Sequence, residues 1–432
     1  MEIKDKIKNL LDISYSPFHV VKNVEDELLN KGFKELKENE NFNIELGKNY
    51  YVKRNGTSII AFKIPSSLKD INFRIEASHT DSPTFKLKPH PAIKNKNYVS
   101  INVEPYGGMI MSTFLDRPLS IAGRVMIEKN GNLENKLFNI DRDLLQIPNV
   151  AIHMNREVNT GYHFNPAVDL IPLISTNPDF DFEKMLLKEL HEEDSKVSSF
   201  DLFLYNRDKA HELGYENEFI SSPKIDNLTS VYLSLESLLN NDPSTSIDLL
   251  AAFDNEEVGS LTRQGANSTF LVDILKRIVL ALGGNKDDFY KAVASSMMLS
   301  VDNAHAIHPN HMEYADKTSE VLLNKGLVIK YNAAQHYTTD SFSSSIVKHL
   351  CDLSNAKYQE FTNRSDMRGG GTLGNLSNSE VSLVCADIGL PQLAMHSCNE
   401  LIGTNDLQDM YLLLSSFYKV SFVITEQVVK FN

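Results

Sequence analysis

Helical and strand patterns alternate along the second half of the chain, and this alternation constrains the fold more than any other feature of the sequence. Apolar residues recur at helical spacing over 228–239 and 270–282, whereas 247–253 and 297–301 are short, mostly apolar runs of strand length. Elements that alternate in this way bury a sheet between layers of helices. The pattern therefore predicts an α/β domain with helices on both faces of its sheet.

The first half of the chain contributes two further strands, and the sequence pattern then changes to that of a mostly β segment. Two apolar runs, 59–64 and 71–77, are separated by a short Pro-Ser-Ser connection and are typical of strands. After them, several short β-like segments lead to Asn130-Gly131, a dipeptide suited to a tight hairpin turn. This part of the chain is predicted to be a mostly β unit.

If the two early strands join the sheet of the second half, the β-rich segment is an insertion in a discontinuous domain. Long surface connections tolerate such insertions well. The alternating helix and strand pattern begins near Pro223, which marks the end of the insert. We predict a main domain formed by residues 1–85 and 220–432, and an inserted β-rich domain formed by residues 86–219.

The composition excludes several classes of protein. The chain has 432 residues, with 43 Lys and Arg against 57 Asp and Glu, and its net charge of -14 repels phosphate backbones and anionic membrane surfaces. We therefore expect neither nucleic acid nor a membrane among its partners. The three cysteines form no CxxC pair, and residues 1–20 lack the apolar core of an export signal. These features predict a reducing, cytoplasmic location.

Polar side chains stand just beyond the ends of the predicted strands, which is where open α/β sheets bind ligands. Each of these side chains has a simpler explanation when it is taken alone. Asp226, for instance, could merely cap the helix that follows it. Together, two histidines and three carboxylates suit a pair of divalent metals, because imidazole and carboxylate favour zinc, manganese or cobalt and one Asp can bridge two ions. The side chains at these strand ends are His79, Asp81, Glu256, Glu257, Asp302 and His396, and Asp226 stands just before a predicted helix.

Two local pairs among these residues suggest a division of roles. Glu256 and Glu257 directly follow a predicted strand, where successive side chains point to different sides, so one can bind metal while the other faces a bound water. Asp81 stands two residues after His79 and can accept the proton of the ring nitrogen that does not bind metal. Asp81 is therefore expected to orient that imidazole.

Five stretches in a fixed order between residues 78 and 397 resemble the aspartyl aminopeptidase family of metallopeptidases, which also includes the yeast vacuolar aminopeptidase. They are SHTDSP at 78–83, IDN at 225–227, DNEEVGS at 254–260, SVDNAHAIHPN at 300–310 and PQLAMHS at 391–397. The resemblance extends into the insert at YGG (106–108), STFLDR (112–117) and AIH (151–153). It implies a dinuclear zinc-exopeptidase domain with a mixed sheet, interrupted by a β-rich dimerisation and lid domain.

The resemblance also implies a ligand role for each matched residue. Asp226 is expected to bridge two divalent ions in each subunit, with zinc as the first choice and manganese or cobalt as alternatives. His79 and Asp302 are expected to complete one metal site. Glu257 and His396 are expected to complete the other.

The implied reaction is removal of the N-terminal residue, acidic or neutral, from peptides. Glu256 is expected to act as the general base for a metal-bridging water, with Asp81 in a supporting role. His153 is implied to reach the active site of a neighbouring subunit, which points to dimers that assemble into a tetrahedral dodecamer. Lys330 is expected to contact an acidic substrate residue, with an exposed strand lysine as the alternative, and His305 is expected to contact the substrate.

Other interpretations stay open from the residues alone. The ligand set does not say which end of a substrate is bound, so a dinuclear deacylase or carboxypeptidase is an alternative. A catalytically silent assembly or cargo-binding shell is another, although such a shell needs no general base. Residues 368–372, RGGGT, lack the Lys-Ser/Thr ending of a phosphate loop and predict a tight backbone turn near the substrate.

Overall fold

The computed structural model describes residues 2–243, 245–367 and 369–431. Within these ranges the largest sheet has nine strands and forms the central layer of the molecule. Their spatial order is Lys34–Glu35, Asn49–Arg54, Ser58–Lys63, Ile247–Phe253, Phe73–His79, Met297–Val301, Val384–Gly389, Leu327–Tyr331 and Tyr358–Thr362.

The centre of this sheet is parallel, whereas its flanks contain antiparallel pairs. Ser58–Lys63 is antiparallel to both of its neighbours. On the other side, Leu327–Tyr331 is antiparallel to Val384–Gly389 and parallel to Tyr358–Thr362. The central strands are buried almost throughout, as expected for strands covered on both faces. The parallel strands are Ile247–Phe253, Phe73–His79, Met297–Val301 and Val384–Gly389. The mixed sheet confirms the predicted α/β class.

Helices cover both faces of the sheet. One face carries Ile3–Asp12, Pro17–Asn30, Ile225–Asn240, Ser341–Ser354 and Asp406–Lys419. The other face carries Phe270–Ala281, Lys286–Ala294 and Leu373–Glu380. Each face has its own apolar core. Because both faces of the central strands are buried, their sequences are nearly continuous apolar runs. None of the helices in the described ranges combines the length and the apolar character needed to cross a bilayer.

A separate antiparallel sheet is built from residues 84–206 and has its own apolar core. Asn130 and Gly131 both have positive φ, as the tight turn between two of its strands requires. Within the described ranges its six strands, in spatial order, are Asn132–Asn139, Leu119–Lys129, Lys196–Asn206, Thr84–Asn95, Tyr98–Tyr106 and Leu173–Ser175. The 3-10 turn Met111–Phe114 and the helices Pro166–Asp169 and Phe182–Glu189 complete this unit.

A third sheet joins distant parts of the chain. Its strands, in spatial order, are His211–Leu213, Phe219–Ser222, Glu400–Gly403, Pro391–Leu393 and Ala304–His305. A small hairpin, Phe422–Ile424 with Val429–Phe431, and the 3-10 turns Glu256–Val258 and Met312–Tyr314 are the remaining elements described. The sheet of the insert ends at Asn206, and the next strands already pair near residue 400. The division at residues 86 and 219 stays a prediction.

Candidate metal centre

The carboxyl ends of the central strands gather the predicted ligands at one place. His79 ends one central strand, and Asp302 follows directly after the next. Glu257 lies in the turn that follows a third central strand. Asp226 lies at the start of the buried helix Ile225–Asn240. His396 lies in a turn after the short strand Pro391–Leu393 of the third sheet. The edge of a parallel sheet thus brings together residues that are far apart in sequence.

The two carboxylate oxygens of Asp226 face different partners. Oδ1 lies 3.5 Å from Nε2 of His79, and that nitrogen lies 3.6 Å from Oδ1 of Asp302. Oδ2 lies 3.4 Å from Nε2 of His396, which is also 3.4 Å from Oε1 of Glu257. Asp226 therefore stands between two groups of donor atoms. Its side chain does not cap the helix, so the simpler explanation as an N-cap is wrong.

The spacing and burial of these donors fit metal ions. Separations of 3.4 to 3.6 Å exceed a normal N–H···O hydrogen bond of about 2.7–3.2 Å. Donors on neighbouring corners of a tetrahedral zinc, with bonds of about 2.0–2.1 Å, lie about 3.3–3.4 Å apart. Of the part of the chain that the structure describes, Oδ1 of Asp226 and Oε1 of Glu257 are buried without a hydrogen-bond partner. Buried carboxylate oxygens need such a partner, and a divalent cation would satisfy both.

Both imidazoles are oriented through their Nδ1 atoms. Nδ1 of His79 donates to the carbonyl oxygen of Asp81 at 3.0 Å, and Nδ1 of His396 donates to the carbonyl oxygen of Gly108 at 2.9 Å. These bonds leave each Nε2 as the ring nitrogen that faces Asp226 and can bind a metal once it has lost its proton. The sequence suggested that the carboxylate of Asp81 holds His79, but the backbone oxygen is closer and the carboxylate Oδ1 lies 3.4 Å away.

The Asp81 carboxylate holds the glutamates instead. Its Oδ1 accepts the backbone N–H of Glu256 at 3.1 Å, and its Oδ2 accepts the backbone N–H of Glu257 at 3.2 Å. Oδ2 also accepts the hydroxyl of Tyr106 at 2.7 Å. Asp81 is fully buried, so it ties the strand that ends at His79 to the turn that carries both glutamates.

The two glutamates lie in a 3-10 turn rather than in an extended strand. The turn, Glu256–Val258, is entered through Asn255, whose φ of 64° is in the left-handed region. The predicted reason for their divergence, strand alternation, is therefore wrong. Both glutamates line the adjacent cavity, but only Glu257 belongs to a group with His79 and Asp226 whose ligand atoms lie within 4.8 Å of one another in the described residues.

The charges of this cluster shift the pKa values of its members. Burial raises the pKa of Glu256 to about 7, against the opposing attraction of His79. Burial also raises the pKa of Glu257 well above its ordinary value. Burial disfavours the charged form of His396, but Asp226 and Glu257 outweigh it and raise its pKa to about 10. A pKa near 7 suits proton transfer by Glu256 near neutral pH.

A cavity of about 310 Å³ opens onto these residues. Gly370, Gly371 and Thr372 of the predicted glycine turn line it, whereas Arg368 of that motif lies outside the described residues. An adjoining cavity of about 310 Å³ shares His305 with it. His305 keeps contact with solvent there, although burial of its ring lowers its pKa.

Lys330 lies in the wall of the first cavity and is only 2% exposed. Its Nζ donates to the carbonyl oxygens of Asp302 and Asn303 at 2.7 and 3.1 Å, and it lies 5.0 Å from the ring centre of Tyr337. Burial opposes its charge, but Asp302 outweighs this and raises the pKa of Lys330. The alternative of an exposed strand lysine is wrong.

His153 lies away from this cavity in its own chain. It is exposed, in an irregular part of the insert, and is not among the described residues that line the cavity. Sequence reasoning also missed Glu400 and assigned no role to Tyr106. The sequence signal for Glu400 is that it is the one acidic residue of a short strand, four positions after His396. A carboxylate that is buried in such a strand needs hydrogen-bond partners.

Comparison with known proteins identifies the family of this chain. The family model of aminopeptidase I zinc metalloproteases, M18, matches residues 10–418. The probable M18 family aminopeptidase 2 of Clostridium acetobutylicum is 46% identical over 425 residues, which cover 96% of this chain and 98% of that protein.

Solved structures are similar over the same extent. Ape4, solved in a complex with Nbr1, has a TM-score of 0.92 and 34% identity, with coverage of 96% of this chain and 85% of that chain. The mApe1 dodecamer of S. cerevisiae has a TM-score of 0.84 and 25% identity, with coverage of 96% of both chains.

These relatives favour an aminopeptidase over a carboxypeptidase, a deacylase or a silent shell. The full-length similarity and the donor set at the sheet edge point to the same chemistry. The chain belongs to the M18 family of aminopeptidase I zinc metalloproteases and is a metallo-aminopeptidase.

Proposed function

We propose that this protein is a two-ion aminopeptidase that removes the N-terminal residue from peptides. The observation that carries the proposal is the position of Asp226, whose two oxygens face separate donor groups. One ion would be held by His79, Asp226 and Asp302. The other would be held by Asp226, Glu257 and His396. Zinc is the ion that the family description names, and manganese or cobalt would suit the same donors.

The proposed base is Glu256. Bound ions would polarise the scissile carbonyl and lower the pKa of the attacking water. Glu256 lines the cavity beside the donors, where it can accept the proton of that water and return it to the leaving amine. Burial raises its pKa to about 7, and a nearby cation would lower it again, which keeps the carboxylate ionised and able to accept a proton. Asp81 positions the base through the Glu256 N–H.

Two residues are proposed to contact the substrate. Lys330 presents a buried ammonium group to the cavity, and two of its three N–H donors are used by backbone carbonyls. The remaining donor would bind the carboxylate of an acidic first residue. His305 lines both cavities and would contact the peptide where it passes from one to the other.

We propose that the insert completes the active site of a second copy. His153 is flanked by exposed apolar side chains, with Val150 51%, Ile152 45% and Met154 81% exposed, which is typical of a surface that is covered in an assembly. His153 would then stabilise the oxyanion in the partner. The dodecamer of S. cerevisiae mApe1 supports assembly of this kind, and a tetrahedral dodecamer built from dimers is the proposed form.

Reconstitution of the metal-free protein tests the proposal. Zinc, manganese or cobalt is added stepwise, and ions per chain are measured together with hydrolysis of a panel of aminoacyl substrates. We expect full activity at two ions per chain and none on substrates whose amine is acetylated. Full activity at one ion would contradict the two-ion centre. An active monomer in size-exclusion light scattering would contradict the shared His153.

A further inference from the structure

Glu400 connects two of the proposed ligands through their backbones. It begins the strand Glu400–Gly403 and is 2% exposed. Its Oε2 accepts the backbone N–H of Asp226 at 2.9 Å, and its Oε1 accepts the backbone N–H of His396 at 2.7 Å. The side chains of these two residues face each other at 3.4 Å. One buried carboxylate therefore holds together the two segments that supply these donor atoms.

Regular secondary structure holds neither segment at the ligand itself. Asp226 has φ -81° and ψ 109°, so it leaves helical geometry inside the helix Ile225–Asn240. His396 has φ 65°, in the left-handed region that side chains other than glycine rarely adopt. Backbone N–H groups in such positions need an acceptor from elsewhere when they are buried. Glu400 supplies that acceptor to both.

Other proposed ligands are held by different contacts. The backbone N–H of Asp302 donates to the carbonyl oxygen of Ile388 at 2.8 Å. The backbone N–H of Glu257 donates to the carboxylate of Asp81 at 3.2 Å. Glu400 thus holds two of the three proposed donors of one ion, Asp226 and His396, but only Asp226 among the donors of the other, so its influence should be larger on the first.

We propose that Glu400 is a positioning residue that sets the affinity and geometry of the ion held by Asp226, Glu257 and His396. This inference rests on the two-ion centre proposed above. Groups that orient metal ligands typically change metal affinity by about 10–100-fold when they are altered. In Glu400→Gln the amide accepts only one of the two N–H groups and points its own N–H at the other.

Asp406 provides a matched control for a purely structural role. It is also buried, and its two oxygens accept the backbone N–H groups of Asn324 and Gly326 at 2.7 and 2.8 Å. Neither partner is a proposed ligand. Asp406→Asn therefore removes the same kind of double acceptor where the bonded backbone carries no proposed ligand.

The test compares the parent protein with Glu400→Gln and Asp406→Asn as full-length chains. Each is stripped of metal and titrated with zinc against a chromogenic chelator, and the visible absorption of the cobalt form reports ligand geometry. We expect Glu400→Gln to bind the second ion, held by Asp226, Glu257 and His396, about 10–100-fold more weakly and the first ion with a smaller loss, with a changed cobalt spectrum. Asp406→Asn should lower the melting temperature but leave both affinities and the spectrum unchanged.

Each outcome is decisive. If Glu400→Gln keeps both zinc affinities and the parent spectrum while it melts earlier, Glu400 is only structural and the inference is overturned. If the parent binds a single ion, the two-ion centre itself fails. If Glu400→Gln does not fold, Glu400→Asp decides, because it keeps the charge and both oxygens but withdraws them by one methylene. Weaker binding of the second ion then supports the inference, and unchanged binding overturns it.

Discussion

The backbone N–H of Glu256 donates a hydrogen bond to Oδ1 of Asp81 at 3.1 Å. Asp81 follows the strand that ends at His79, so this bond connects the proposed base to a proposed metal ligand. The hydroxyl of Tyr106 adds a hydrogen bond to the same carboxylate at 2.7 Å. The distance between base and metal donors is therefore set by a buried carboxylate as well as by the local turn.

Replacement of Asp81 tests this connection. In Asp81→Asn the amide cannot accept all three hydrogen bonds, so Glu256 and Glu257 should shift relative to the ligands. We expect kcat at saturating zinc to fall by about 10–100-fold. Tyr106→Phe keeps the carboxylate and the ring and should cost less than Asp81→Asn. Equal losses in steady-state assays of the two variants would show that the carboxylate has no special role.

The adjacent glutamates offer a pair of variants with opposite expected results. Glu256→Gln should lower kcat by about 10²–10⁴-fold with zinc content unchanged, because it removes a base and not a ligand. Glu257→Gln should lose zinc, because it replaces a carboxylate donor by an amide. Metal analysis after dialysis at a fixed free zinc concentration separates the two. Zinc loss from Glu256→Gln would reassign that residue as a ligand.

Lys330 should affect substrates unequally. Lys330→Met removes the ammonium group that we propose for an acidic first residue. A hydrogen bond to a charged group contributes about 1.5–3 kcal/mol, so kcat/KM for N-terminal Asp or Glu should fall about 10–100-fold more than for N-terminal Ala. Lys348→Met, on an outer helix, is the control. Equal losses on acidic and neutral substrates would mean that Lys330 only supports the backbone at Asp302.

Zinc affinity should depend on pH well above the ordinary titration range of histidine. Asp226 and Glu257 outweigh burial and raise the pKa of His396 to about 10, so zinc must displace a proton at neutral pH. We expect affinity to increase about tenfold per pH unit for each displaced proton as the pH rises from 7 to 9. Activity should correspondingly fall from pH 8 to 5. Chelator competition at several pH values measures this, and a constant affinity from pH 7 to 9 would contradict it.

A buried carboxyl remote from the metal donors should make stability depend on pH. Burial raises the pKa of Asp248 from 3.8 to about 8, although Arg74 and Lys63 oppose the shift. Above about pH 4 the unfolded chain releases this proton while the folded protein retains it. The contribution of Asp248 to stability is therefore fully present below pH 4 and is lost progressively as the pH rises to about 8.

Asp248→Asn should remove that dependence, since an amide resembles the protonated acid and can still accept the hydrogen bond from Ser246. Its melting temperature should exceed that of the parent at pH 8 by more than at pH 5. The difference corresponds to at most about 1.4 kcal/mol per pH unit. Ser246→Ala removes the partner and keeps the carboxyl, so it should preserve the pH dependence. An equal shift of Asp248→Asn at both pH values would contradict the assignment.

Local pattern was sufficient for several elements of the fold. The strands Ile247–Phe253 and Met297–Val301 were predicted with the bounds that the structure has, because short apolar runs between polar residues allow few other conformations. The turn at Asn130-Gly131 follows from the ease with which these residues adopt positive φ. The helices Ile225–Asn240 and Phe270–Ala281 were likewise visible in the apolar spacing over 228–239 and 270–282.

The contacts around the proposed site could not be predicted in the same way. The apolar run 327–329 before Lys330 indicates a buried strand. It does not indicate that the ammonium group itself is buried, because the partners of that group are carbonyl oxygens at Asp302 and Asn303. The Glu400 carboxylate accepts the backbone N–H of Asp226, which lies 174 positions earlier in the chain, so this contact exists only in the folded protein. Such contacts leave no local periodicity.

The sequence by itself determined the class of fold, the family and the residue types available for metal binding and proton transfer, since these depend on local pattern and on motifs. Only the tertiary structure decided that the oxygens of Asp226 face two donor groups, that Asp81 holds Glu256 and that Lys330 is buried. Those facts depend on distances between segments far apart in the chain, and packing of the whole sheet and its helices sets these distances.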